Sequence, residues 1–295
     1  MKKSNCQNIL IAIFLSSTFF FKLYSEQKIR VLLDKIEISN KTNIKISCDG
    51  KAKVSDPDDD KRKYITDKTT LNFVFDSKNW YLNGKKLIIK NILIQHEKET
   101  LLKYDGKNYS GKISIIRDDE YIYIINTLPL EEYVCYVLSG ETYESWPLES
   151  HKTSAITTRT FAIKKIEEAK KTNAFFDIKS NVEHQTFKGV SSSKNIADAV
   201  KLTYGQIITW KDEPIFAMYD MCCGGVLPVH CRGIDFEKFP YLARKKQCKH
   251  CKECKFYDWN IIYDKKESCR RLSKFIKKNI VDIIKLEDLK LSKSK

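Results

Sequence analysis

A chain of 295 residues, 42% hydrophobic and 31% charged, is long enough for one or two domains with a real core and too apolar for wholesale disorder. Its net charge of +15 invites a nucleic-acid reading. Lys2 and Lys3, followed by an apolar stretch from Ile9 to Phe21 and by Leu23-Tyr24-Ser25 as a cleavage site, mark export and argue against that reading.

In an exported chain an anionic wall polymer or a membrane surface suits the basic charge better, and a lysine-rich composition without functional meaning is the alternative. Residues 1–25 are expected to be a signal peptide, or an anchor held in the membrane through residues 9–21, a stretch short for a spanning helix. Residues 26–127 read as short strands and turns, over Ile29–Leu33, Ile44–Cys48, Leu71–Phe75, Lys86–Ile94, Lys112–Ile116 and Tyr121–Asn126. Asn83-Gly84 is the preferred dipeptide of a tight hairpin, and Asp118-Asp119 marks a second one. The acidic run Asp56-Pro57-Asp58-Asp59-Asp60, followed by Lys61-Arg62-Lys63, reads as a solvated loop.

After Asn126 the period changes. Pro129 suits a first helical turn, Glu131 and Glu132 complement its dipole, and Leu130, Tyr133, Val134, Val137 and Leu138 form an apolar stripe to about Gly140. Glu141 falls on that stripe one turn later. A carboxyl there loses water, which disfavours its charged form, as a general acid working near neutral pH needs; a solvated glutamate at a helix end is the other reading. Ser145 is placed to cap a second helix, with Pro147 in its first turn and Ala155, Ala162, Ile166 and Ala169 on one face to about Lys170. Arg159 lies within that face, and a guanidinium cannot be buried neutral, so Glu141 or Glu131 is its expected partner unless its head reaches water. A loop-rich stretch to Ser193, a short helix over Asn195–Leu202 and a hairpin of Gln206–Trp210 with Ile215–Tyr219 follow. Cys222-Cys223-Gly224-Gly225, a cysteine-rich loop to Cys254 and a basic helical tail from Glu267 to about Ile284 complete the pattern.

The run Leu128-Pro129-Leu130-Glu131-Glu132-Tyr133, then Glu141, Ser145-Trp146-Pro147 and Arg159-Thr160-Phe161-Ala162, resembles the SpoIID/LytB family, stage II sporulation protein D and its relatives. Arg30-Val31-Leu32-Leu33, Tyr109-Ser110-Gly111, Thr203-Tyr204-Gly205-Gln206, Gly224-Gly225, Pro240-Tyr241-Leu242 and Tyr257-Asp258-Trp259 agree in the same order. The resemblance implies an α+β protein, with a β-rich region over 26–127, a catalytic region over 128–265 and a basic tail over 266–295. It implies a peptidoglycan lytic transglycosylase that cleaves denuded glycan strands between N-acetylmuramic acid and N-acetylglucosamine. Glu141 matches the catalytic glutamate. Arg159 matches an arginine that holds local geometry or meets the muramic lactyl carboxylate, and Tyr143, Ser145, Gly224 and Gly225 are carried over as supporting residues. Glycan strands are the implied partner, alongside other wall-remodelling proteins; which amidase, if any, prepares the substrate is left open. A catalytically weak wall-binding or septal scaffold is the alternative function, favoured by Cys222 and Cys223, which stand where many relatives have serines.

No cofactor is implied. Zinc-holding relatives use cysteines and a histidine in the loop corresponding to Phe176–Gly189, where this chain offers only His184, so that site is not transferred. Loss of Cys6 with a cleaved signal leaves an odd set of cysteines. Cys248, Cys251 and Cys254 have spacing that suits zinc or an iron–sulfur cluster. In an exported protein, disulfides joining this loop to Cys222, Cys223 or Cys231 are the favoured expectation.

Overall fold

The computed structural model describes residues 27–76, 78–96, 100–181, 183–219, 222–224, 235–243, 248–254, 257, 264, 266–267 and 270. In chain order the strands are β1 (Lys28–Glu37), β2 (Lys41–Cys48), β3 (Ala52–Asp56), β4 (Asp59–Thr66), β5 (Thr70–Asp76), β6 (Asn79–Leu82), β7 (Lys85–Leu87), β8 (Ile92–His96), β9 (Leu102–Tyr104), β10 (Lys107–Tyr109), β11 (Lys112–Arg117) and β12 (Tyr121–Pro129). Helices α1 (Leu130–Glu141) and α2 (Leu148–Thr172) follow, then β13 (Ile178–Lys179), helix α3 (Lys194–Leu202) and the hairpin of β14 (Thr209–Trp210) and β15 (Glu213–Pro214). The fold is α+β. The chain divides into two compact units, Met1–Met218 and Tyr219–Lys295. The expected signal or anchor, residues 1–25, and most of the basic tail lie outside the described residues. Among the described residues no helix is long and apolar enough to cross a membrane.

Two large sheets, besides the β14–β15 hairpin, lie in the first unit. One runs β13-β1-β12-β11-β8-β3-β4 and the other β10-β9-β2-β5-β6-β7. Alternation sends Ile44 and Ile46 of β2, Leu71 and Phe73 of β5, and Ile113 and Ile115 of β11 into one core, which also takes the α1 stripe of Leu130, Tyr133, Val134, Val137 and Leu138. The Asn83-Gly84 turn forms as expected, with φ of 48° and 84° at its two residues, the pair of positive values that a type I′ hairpin needs.

The acidic run is not a loop. Asp59–Thr66 is strand β4, paired antiparallel with β3 at the edge of its sheet. The reason is local: the Asp56 carboxylate accepts the Asp58 amide at 3.0 Å and the Lys90 amide at 3.2 Å, closing a turn at Pro57-Asp58. A charged strand suits an edge, where it discourages pairing with other chains.

The expected strand Lys86–Ile94 is two strands, β7 and β8, which join different sheets. β1 runs antiparallel to β12 and parallel to β13. Asp177, just before β13, is buried and accepts Arg30 Nη2 at 2.6 Å and the Arg30 amide at 2.7 Å. That contact sets the path of the chain after α2, which ends where Asn173 turns left-handed at φ 50°.

Candidate active site

α1 begins immediately after Pro129 and runs through Glu141. Its entry is fixed by Asn126, fully buried, whose side-chain amide donates to the Ser110 carbonyl at 2.8 Å and the Lys112 carbonyl at 3.0 Å. Ser110 in turn donates to Glu132 at 2.7 Å. At the far end, both the amide and the hydroxyl of Thr142 donate to the Leu138 carbonyl, at 2.9 and 2.8 Å. The chain then turns through Tyr143–Trp146 into α2.

Glu141 is half-buried. Its Oε1 accepts the backbone amide of Thr186 at 2.6 Å, so a loop 45 residues later fixes its carboxyl. Gly140 permits this approach, because a Cβ at that position would lie 2.6 Å from the Thr186 carbonyl oxygen. A glycine inside a helix costs stability and often marks close backbone contact; it was the one signal in the sequence pointing to this loop.

The loop is itself pinned on several sides. Tyr133 donates to Gln185 Oε1 at 2.9 Å, and Gln185 Nε2 donates to the Thr158 carbonyl at 3.3 Å. Phe187 is buried against the rings of Tyr109, Tyr133 and Tyr136. Burial pushes the Tyr109 phenol up to about 12, helped by the Asp105 charge. Gly189, at φ +87°, lies against the Asn108 carbonyl where a side chain would collide, and the Val190 amide donates to that same carbonyl at 2.7 Å.

Arg159 is fully enclosed. Its Nε and Nη2 donate to Glu131 at 2.8 and 2.7 Å, and Nη1 donates to the Gln206 carbonyl at 3.0 Å. Of the two expected partners the structure selects Glu131, which also accepts the Gly205 amide at 3.3 Å. The arginine thus joins α1, α2 and the segment after α3, and its donors face protein groups.

Tyr143 is 60% exposed, with its ring 6.0 Å from that of Trp146. Trp146 is partly buried, and Asn195 donates to its carbonyl at 3.0 Å. Ser145 is exposed and does not cap the second helix: the residue at the cap is Pro147, with no side-chain hydrogen bond there. His151, which pattern reading passed over, is fully buried beside Thr142, Nδ1 to Oγ1 at 3.3 Å. Its Nε2 is buried with no hydrogen-bond partner among the described residues.

Gly224 lies in the second unit at φ +55°, and Gly225 lies outside the described residues. In that same unit Cys248 and Cys251 converge with Cys223, whereas Cys254 is not part of the set. The described cysteines are thiols, so the expected disulfides to Cys222 and Cys223 are not formed; Cys231 lies outside the described residues. His184 accepts the Lys179 amide on Nδ1 at 3.0 Å.

Residues 118–210, which contain Glu141, Arg159 and Thr186, match the family model of SpoIID, described as stage II sporulation protein. Over that stretch the chain carries a SpoIID domain. The stage II sporulation protein D of Bacillus subtilis is 33% identical over 109 residues, covering 32% of this chain and 32% of that protein. An uncharacterized protein of Brachyspira hyodysenteriae is 29% identical over 123 residues, covering 41% of this chain and 33% of its own. The chain therefore matches about a third of the length of these curated relatives. The SpoIID match ends at Trp210, ahead of the cysteine-bearing second unit.

Proposed function

We propose that the chain is an exported lytic transglycosylase that cuts denuded peptidoglycan strands between N-acetylmuramic acid and N-acetylglucosamine. The SpoIID match over residues 118–210 supports a cell-wall-related role. The finer reading is carried by one observation, the half-buried Glu141 carboxyl held by the Thr186 amide.

The Thr186 amide fixes the direction of the Glu141 carboxyl, which in the proposed reaction starts in its protonated form. That proton passes to the glycosidic oxygen as the bond from C1 of the muramic residue breaks and oxocarbenium character develops. The carboxylate then takes the proton of the sugar's own C6 hydroxyl as that oxygen bonds to C1. An anhydro ring closes, no water is consumed, and Glu141 regains its proton. One carboxylic acid is enough. The exposed Tyr143 ring offers an apolar face for a sugar, and Arg159, occupied by Glu131, acts by holding α1 and α2 in register.

The test is digestion of denuded glycan strands, with products read by mass spectrometry. The expected result is anhydro-muramic ends from the wild type, none from Glu141→Gln, and glycan binding by both. Binding without anhydro products from either would replace the enzyme by a wall-binding scaffold.

A further inference from the structure

We propose that Cys223, Cys248 and Cys251 form a thiolate site for zinc, a structural centre of the second unit. The sulfurs of these three residues all lie within 4.8 Å of one another, and Cys248 and Cys251 are 3.7 Å apart, sulfur to sulfur. Tetrahedral zinc with Zn–S bonds of about 2.3 Å sets its sulfurs about 3.8 Å apart. The thiols thus already stand near the spacing the ion imposes.

Sequence and backbone explain the convergence. Cys248 and Cys251 are two residues apart on a turn, a spacing common in zinc knuckles. The turn is continued by the Cys254 amide donating to the Cys251 carbonyl at 3.0 Å and the Tyr257 amide donating to the Cys254 carbonyl at 2.8 Å. The third sulfur comes from Cys223. The next residue, Gly224, takes a left-handed φ of +55°, and a Cβ there would lie 3.7 Å from the Tyr257 carbonyl oxygen. The Cys222-Cys223-Gly224 segment is therefore folded against the knuckle.

A disulfide would use only two of the three sulfurs, drawing them to about 2.05 Å and leaving the third beside them. A metal uses all three. Zinc with three thiolates carries a net negative charge, which Lys249 and Lys252, interleaved with the cysteines, offset. The need is also evident, since the described residues of this unit show only a short 3-10 turn, Pro240–Leu242, and isolated helical positions after Asp264. A small loop-rich unit gains its fixed shape from a metal or a covalent staple. The fourth position falls to water or to a neighbouring ligating residue: Cys222, His250 or Cys254.

The full chain, purified under reducing conditions, is assayed for metal content and for thiol reactivity before and after chelation. The expected result is one zinc per chain, with three thiols, or four where a cysteine fills the fourth position, that resist alkylation until a chelator is added. Cobalt loading should give thiolate-to-cobalt absorption that is lost in Cys223→Ser and in Cys251→Ser and kept in Cys135→Ser. Protection reversed by reductant but not by chelator would show a disulfide and overturn the proposal. So would full thiol reactivity without bound metal, the absorption of an iron–sulfur cluster, or a cobalt spectrum indifferent to Cys223→Ser. The wild-type measurements decide the matter even if the serine variants fail to fold.

Discussion

Glu131 grips Arg159 through two parallel hydrogen bonds, Nε to Oε1 at 2.8 Å and Nη2 to Oε2 at 2.7 Å. The guanidinium has no exposed surface, and the Glu131 side chain retains 15%. Such a pair is sensitive to loss of one member, because the survivor is left as an uncompensated charge. Arg159→Met is expected to cost about 3–5 kcal/mol in urea unfolding, and Arg159→Lys to recover little, since lysine lacks the planar fork. The double variant Arg159→Met with Glu131→Leu should be more stable than Arg159→Met alone. If the double variant loses as much as the two singles summed, the pair is not acting as a unit.

Gly140→Ala tests the placement of the carboxyl. A methyl there would sit 2.6 Å from the Thr186 carbonyl, so the loop must retreat and take its amide away from Glu141. Overpacking costs about 1–3 kcal/mol, partly offset by alanine's better helix propensity, about 1 kcal/mol. A small net loss of stability with a much larger fall in glycan cleavage is the expected outcome. Equal activity in both proteins would remove the Thr186 contact from the mechanism.

His151 is predicted to be a liability to the fold. Thr142 has one hydroxyl hydrogen, given to Leu138, so the imidazole donates from Nδ1 and its buried Nε2 is left bare. An unsatisfied buried polar atom costs about 1–3 kcal/mol. His151→Leu should therefore raise the urea midpoint, by about 1 kcal/mol of stability once the long Thr142 contact is given up. A lowered midpoint would mean that Nε2 has a partner in solution.

His184 should give a pH dependence. Burial holds its imidazole below the usual histidine range, and the Lys165 and Lys179 charges push the same way. The unfolded chain therefore binds a proton first as pH falls, near pH 6.5 for a free histidine. The contribution is complete above that value and is lost as pH drops through the window toward the lower folded value. Thermal melts between pH 7.5 and 5 should show a steeper decline for the wild type than for His184→Asn. Parallel curves would contradict the assignment.

Local patterns were legible in the sequence wherever burial and period coincide. The α1 stripe, the Asn83-Gly84 turn and the α2 face of Ala155, Ala162, Ile166 and Ala169 are each fixed by neighbours within a few residues, and each is found as read. β4 was missed because its sequence is that of a solvated run, and only pairing with β3 reveals it. Contacts made by chain closure were hidden for a different reason. Beside Glu141 only Gly140 hints at a close backbone contact, without saying which loop makes it, and nothing near Cys248 announces Cys223; both depend on where a distant turn comes to rest. Arg159 lay between these cases, its need for a carboxylate evident but the choice of Glu131 resolved only in three dimensions.

Asn108 and Tyr109 lie upstream of the SpoIID match, yet they brace Gly189 and Phe187 in the loop that orients Glu141. Excising residues 118–210 as a minimal fragment would keep Glu141, Arg159 and Thr186 and discard that brace. The domain drawn by sequence likeness is smaller than the body that must stay whole for its carboxyl to keep its aim.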